Sequence, residues 1–156
     1  MQRIYESIDV FKTDQLNLEI ISSLLNLNLY YWSYESAIAE RNNTIFVFIN
    51  NNQSIQRQWQ DFGHEAKHLF FDVGDKKHLK KSFMLYQEVK ADYFAYHFCI
   101  PTFMLAKLKG VTVYDVMNLF NVEFDFALKR IEMYKNNAIV AAESRTLYRM
   151  KKGGIL

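Results

Sequence analysis

A chain of 156 residues, half of them apolar and 16% aromatic with a net charge of +2, is too hydrophobic to stay disordered and too weakly basic for nucleic acid to be its main partner. The length suits one domain with a sizeable core, or a compact domain carrying a helical appendage. No apolar run approaches the ~18 residues of a membrane span and the first six residues lack an apolar signal core, so the expected location is cytoplasmic.

In chain order, Asp14 is the expected N-cap of a packing helix over residues 14–27, with Leu16, Ile20, Leu24 and Leu27 at helical spacing. Residues 29–34, Leu-Tyr-Tyr-Trp-Ser-Tyr, read as a strand. Without interleaved Arg or Lys, its aromatics are expected in a sheet core and not on a base-stacking platform. A turn at Arg41-Asn42-Asn43 leads into the strongest strand signal, residues 44–50. After the polar loop 50–54, Ser54 is the expected N-cap of a helix running through His68. Trp59, Phe62, Ala66, Leu69 and Phe70 give that helix an apolar stripe to bury.

The same helix carries His64-Glu65-Ala66-Lys67-His68, an H-E-x-x-H. Residues four apart share a helix face, so His64 and His68 can offer two imidazole nitrogens to one metal ion, with Glu65 beside the open coordination position. That is the donor set of zinc hydrolysis, in which a carboxylate takes the proton of the attacking water. A chance match in a chain of this composition is on the order of one per cent. Downstream, Glu88 and Asp92 are again four apart, on a helix expected over residues 83–99 and stopped by Pro101. Ala91 and Ala95 allow close approach, which makes Glu88 the candidate third ligand and Asp92 the acceptor for a ligand's free ring N–H. His78, in the Lys-rich stretch 76–81, and His97 are rival ligands. Cys99, the single cysteine, cannot form an internal disulfide and reads as a buried thiol in a reducing compartment. Residues 72–82 break the helical pattern and are expected to be a mobile connection over the cleft, with Lys76, Lys77, Lys80 and Lys81 on a solvated face.

Beyond Pro101, Thr102 is placed as the cap of a short helix through Lys109, ended by Gly110. Helices over 113–120 and 123–134 follow, with the periodicity of a helix-turn-helix but only Lys129 and Arg130 as basic residues on the second, so the pair is expected to pack on the domain rather than read DNA. The tail, 136–156, reads as a peripheral helix with a frayed end.

The stretch Gln58-Trp59-Gln60-Asp61-Phe62-Gly63-His64-Glu65-Ala66-Lys67-His68, followed by Glu88-Val89-Lys90-Ala91-Asp92-Tyr93-Phe94-Ala95 and Ile100-Pro101, resembles the ImmA/IrrE family of metallopeptidases. The resemblance covers roughly residues 40–135 and departs at Ala66 and Lys67, neither of them a ligand position. It implies an α+β fold: a zincin-like metallopeptidase domain over residues 1–110, whose short sheet packs on the two motif helices, and a helical segment over 111–156. It further implies zinc, with manganese as the alternative ion, held by His64, His68 and Glu88, with Glu65 as general base and Asp92 behind a ligand. The expected activity is endoproteolysis of a helix-turn-helix repressor from a phage or mobile element. An edge strand of such a sheet can bind an extended substrate by main-chain hydrogen bonds, though the pattern does not say which strand is the edge. Tyr86, Tyr93, Tyr96 and His97 are the candidate donors to a developing oxyanion. Two other readings are a non-catalytic repressor-binding module of the same fold and a DNA-binding regulator acting through the C-terminal helices.

Overall fold

The computed structural model describes residues 1–71 and 81–152, with side chains through residue 140. The stretch 72–80, which holds His78 and most of the expected connection, lies outside the described residues; Lys81 and Ser82 already belong to a helix. After α1 (Gln2–Glu6) and a 3₁₀ turn at Thr13–Gln15 come α2 (Leu18–Leu24), β1 (Asn28–Trp32), β2 (Ala37–Arg41), β3 (Thr44–Asn50), α3 (Ile55–Phe71) and α4 (Lys81–Cys99). The short α5 (Thr102–Leu105), α6 (Val113–Phe120) and the long α7 (Phe124–Lys152) complete an α+β architecture.

The first helix expected from periodicity is displaced. Asp14 sits in the 3₁₀ turn, and the cap is Asn17, whose side-chain oxygen accepts from Ile20 N at 2.8 Å. Starting at Leu18 turns the buried face to Leu18, Ile21 and Ser22, leaving Ile20 and Leu24 exposed. The helix ends at Leu24, before Asn26, whose φ of 55° reverses the chain.

The sheet has the order β1-β3-β2, with β1 parallel and β2 antiparallel to the central β3. Both β1 and β2 are therefore edges. β2 escapes sequence reasoning because Ala37-Ile38-Ala39-Glu40-Arg41 is poor in strand formers; its pairing comes from the turn, where Asn42 and Asn43 take φ of 52° and 58°, the left-handed pair of a tight hairpin. Val47 and Ile49 face the core, while Phe46 and Phe48 lie on the other face of β3, where Phe48 meets Tyr30 and Trp32 with ring centroids 5.7 and 4.7 Å apart. The aromatics of β1 are thus not core residues as expected: Tyr30, on the Phe48 face that the helices leave open, is about half exposed, and Tyr31, in register with Ile49 on the edge strand, is also about half exposed, its hydroxyl donating to Glu19 of α2 at 2.6 Å.

Ser54 Oγ accepts from Arg57 N at 3.1 Å and starts α3 as anticipated. Trp59, Phe62, Gly63 and Ala66 bury one stripe of α3 against α4. The two helices run antiparallel, with Gly63 facing Ala95, Phe98 and Cys99, and Phe70 near Phe94. Thr102 does not cap α5; Pro101 precedes it, and Thr102 Oγ1 instead accepts from Arg130 Nη2 at 2.7 Å. Arg130 also donates Nε–H to Ile100 O at 3.1 Å and is fully buried, so the basic residue expected on a recognition helix is an internal clamp on the Pro101 turn. The helix expected over 123–134 runs on into the tail; with no Gly or Pro between Phe124 and Lys152, α7 is one element. Val116, Phe120, Val122 and Ala127 join the same hydrophobic cluster as Tyr5, Phe62 and Phe98.

Candidate metal centre

Antiparallel packing of α3 on α4 brings His64 opposite Asp92 and places both histidines near Glu88. His64 Nε2 lies 3.1 Å from Glu88 Oε2 and 3.4 Å from His68 Nε2, and His68 Nε2 is 3.7 Å from Glu88 Oε1. One ligand atom from each of the three residues falls within 4.8 Å of the others, a potential metal site. Donors about 2.0–2.2 Å from a tetrahedral zinc stand about 3.3–3.6 Å apart, so two imidazole nitrogens and one carboxylate at these separations fit zinc and leave a fourth position. Behind the site, His64 Nδ1 is 2.8 Å from Asp92 Oδ1. A proton on Nδ1, donated to Asp92, leaves the Nε2 lone pair toward Glu88 and His68. The His68 side chain is 8% exposed and that of Glu88 54%, so the site opens on the α4 side.

His97, a rival ligand, is set apart. Its Nε2 is buried without a hydrogen-bond partner and its ring lies against Tyr93 at 4.8 Å. Burial first, and the Arg130 charge second, push its pKa down to about 4. The other rival, His78, lies outside the described residues. Cys99 is buried and free, its thiol pKa raised by burial, which keeps it an unreactive packing group. Lys67, where the sequence departs from the family pattern, is buried with its ammonium donating to Gln87 Oε1. The departure ties α3 to α4 through a residue that is not itself a ligand.

A cleft of about 740 Å³ runs from the His64–Glu65 edge along the N-terminal half of α3. Its walls come partly from the motif helices, Arg57 and Asp61 from α3 and Tyr96 from α4, and partly from elements that motif reading does not reach, Ser36 and Asn50 from the sheet side and Glu123 and Phe126 from the start of α7. The walls are cross-braced. Arg57 Nε donates to Asp61 Oδ1 at 2.8 Å and Ser36 Oγ to Asp61 Oδ2 at 3.1 Å. Glu123 accepts from Gln60 Nε2 at 3.0 Å and Ser54 Oγ at 3.2 Å. The signal for Arg57 and Asp61 was present in sequence, since 57, 61 and 65 repeat at four-residue spacing on the motif helix; Glu123 gave none.

Of the candidate oxyanion donors, Tyr96 lines this cleft, whereas Tyr86 and Tyr93 are half exposed and line no part of it. The Tyr96 ring stacks on Phe126 at 4.4 Å, and its pKa is raised, mainly by burial and then by the Asp92 charge. The hydroxyl therefore keeps its proton, as a donor must.

Among the described residues no helix is long and apolar enough to cross a membrane. No solved structure matches the chain. It is 31% identical over 139 residues to the uncharacterized protein YqaB of Bacillus subtilis, covering 86% of this chain and 81% of that one. It is 26% identical over 154 residues to the phage-like element PBSX protein XkdA of the same organism, covering 95% and 78%. The family profile of peptidase M78, described as the IrrE N-terminal-like domain, matches residues 13–132, and the chain belongs to that family, with its metallopeptidase-type or anti-repressor role.

Proposed function

We propose that the protein is a zinc endopeptidase of the cytoplasm that cleaves a helix-turn-helix repressor of a phage or mobile element and so relieves repression. The observation that carries this reading is the convergence of His64, His68 and Glu88 at the end of a cleft that Glu65 also lines. Kinship to a phage-like element protein supports the setting.

His64, His68 and Glu88 are the residues that would hold zinc, with manganese as the alternative; when bound, the ion supplies Lewis acidity and lowers the pKa of a water. Glu65 takes the proton of the attacking water and returns it to the leaving amine. Asp92 holds His64 in the tautomer a ligand needs. Tyr96 donates its hydroxyl proton to the scissile carbonyl oxygen as negative charge develops there. Residues 1–110 carry this machinery, and the segment from 111 packs on it and closes one wall through Glu123 and Phe126. β2, the edge strand beside α3, aligns the substrate by main-chain hydrogen bonds.

The DNA-binding reading loses its main support with Arg130 buried in the Pro101 turn. The test is incubation of the zinc-loaded protein with a panel of purified helix-turn-helix repressors, read by intact-mass spectrometry. A single cut in one repressor, abolished by a chelator and restored by zinc, is the expected result; tight repressor binding without any cut would leave the binding module in its place.

A further inference from the structure

A second, shallower concavity of about 610 Å³ opens beside the cleft and shares Glu35, Ser36 and Asn50 with it. It lies where the chain passes from β1 to β2. Trp32 packs against Phe48 at 4.7 Å and meets Tyr34 nearly edge-on, at 5.5 Å and 73°. The Trp32 indole N–H donates to the backbone carbonyl of Glu35 at 3.0 Å, which hooks residues 32–35 and holds Glu35 beside the two rings. Tyr34 is 71% exposed, the most exposed of the large apolar side chains among the described residues.

The acids of the main cleft are already engaged, Asp61 by Arg57 and Ser36, Glu123 by Gln60 and Ser54. Glu35 differs: among the described residues its carboxylate has no hydrogen bond or ion pair, and only its main-chain oxygen is used. An unpartnered acid in the same concavity as a Trp and a Tyr is the chemistry that recognises an organic cation, with charge attraction from the acid and quadrupole attraction from the rings. An apolar side chain placed there would desolvate Glu35 for no return.

We propose that Trp32, Tyr34 and Glu35 form a subsite for a Lys or Arg side chain of the polypeptide that occupies the cleft. Its purpose rests on the peptidase reading, but its existence does not, because none of His64, His68 and Glu88 lines it. Substrate chain lying along α3 would place a basic residue in this subsite on the side of the cleft away from α4.

The two tryptophans make the test direct. Acetyl-arginine amide and acetyl-lysine amide are titrated into the full chain, zinc-loaded and metal-free, with acetyl-norleucine amide as the neutral control. The indole N–H resonance of Trp32 is followed by NMR, and Trp59, 1% exposed, serves as internal reference. A saturable shift of Trp32 with both cations and not with norleucine, weakened about fivefold or more by Glu35→Gln and by Tyr34→Leu, is the expected result. No shift, or an equal shift with norleucine, overturns the subsite whatever the protein cleaves. Cation binding at Trp32 in a protein that cuts no repressor would uphold the subsite and sink the peptidase reading instead.

Discussion

The seam between α3 and α4 has a dry end and a wet end. At the dry end, Gly63 lies so close to its neighbours that an added Cβ would stand 2.8 Å from Cys99 Sγ and 3.4 Å from the Ala95 Cα. One residue on, His64 begins a cluster of polar side chains in which Asp92 is 68% exposed. The dry end has one low-energy spacing, since close-packed groups cannot be compressed. The wet end has more latitude, since the Glu88 and Asp92 side chains that meet His64 are more than half exposed and can re-form their contacts in water. Ligand convergence is therefore a property of apolar packing next door, and the polar residues inherit it.

The hardest break comes at the wet end. Glu65→Gln keeps the shape and removes the base, so peptidase activity should fall by about 10²–10⁴ with metal content unchanged, measured by cleavage rate beside elemental analysis. Equal activity would mean that Glu65 is not the base. Asp92→Ala should lower zinc affinity about 10–100-fold in a chelator competition, because His64 loses the partner that fixes its tautomer. Asp92→Asn, whose amide oxygen can still accept the proton, should recover part of the loss.

Breaking the dry end tests whether it governs the wet one. Gly63→Ala should destabilise the protein by about 1–3 kcal/mol in urea unfolding and weaken zinc binding with it. Pairing it with Cys99→Ala, which removes the clashing sulfur, should restore both. If Gly63→Ala lowers stability and leaves zinc affinity untouched, the ligands set their own spacing and the comparison fails. Tyr96→Phe sharpens the picture with less disturbance, since the ring stays on Phe126. An activity loss of about tenfold, mainly in kcat, is expected with stability intact. Because the Tyr96 pKa is raised, the wild type should keep this contribution well into the alkaline range, where an unshifted tyrosine would lose its proton.

The two ends also differ in how legible they were. His64 with His68, and Glu88 with Asp92, could each be placed on one helix face from spacing, because a helix turns residues four apart onto one side whatever surrounds it, whereas the meeting of the two faces was expected from Ala91 and Ala95 and from the family resemblance. β3 and α6 were legible from local pattern as well, a dense apolar run in one and apolar residues at helical spacing in the other. What sequence hid depended on distant partners. β2 is a strand only because β3 lies beside it. α2 lost its expected face when Asn17 outcompeted Asp14 as the cap. Arg130 looked like a surface base because nothing local announces that Ile100 and Thr102 are waiting for it, and Glu123 joined the cleft through Gln60, 63 residues away.

At neutral pH the smallest effect lies behind the dry end, at His97. Its pKa is held near 4 in the folded chain against an ordinary 6.5, chiefly by burial. As pH falls below 6.5 the unfolded chain takes up this proton and the folded one does not, so unfolding is favoured progressively until about pH 4, and the loss is constant below that. His97→Phe removes both the titration and the unpartnered Nε2. The zinc-free variant should therefore match or exceed wild type in urea unfolding at pH 7 and gain on it at pH 5.5 and 4.5. Metal must be absent, because metal affinity itself falls with pH and would mask the difference. A constant gap between variant and wild type across that range would mean that His97 takes its proton inside the fold, and that the seam is wetter than its packing implies.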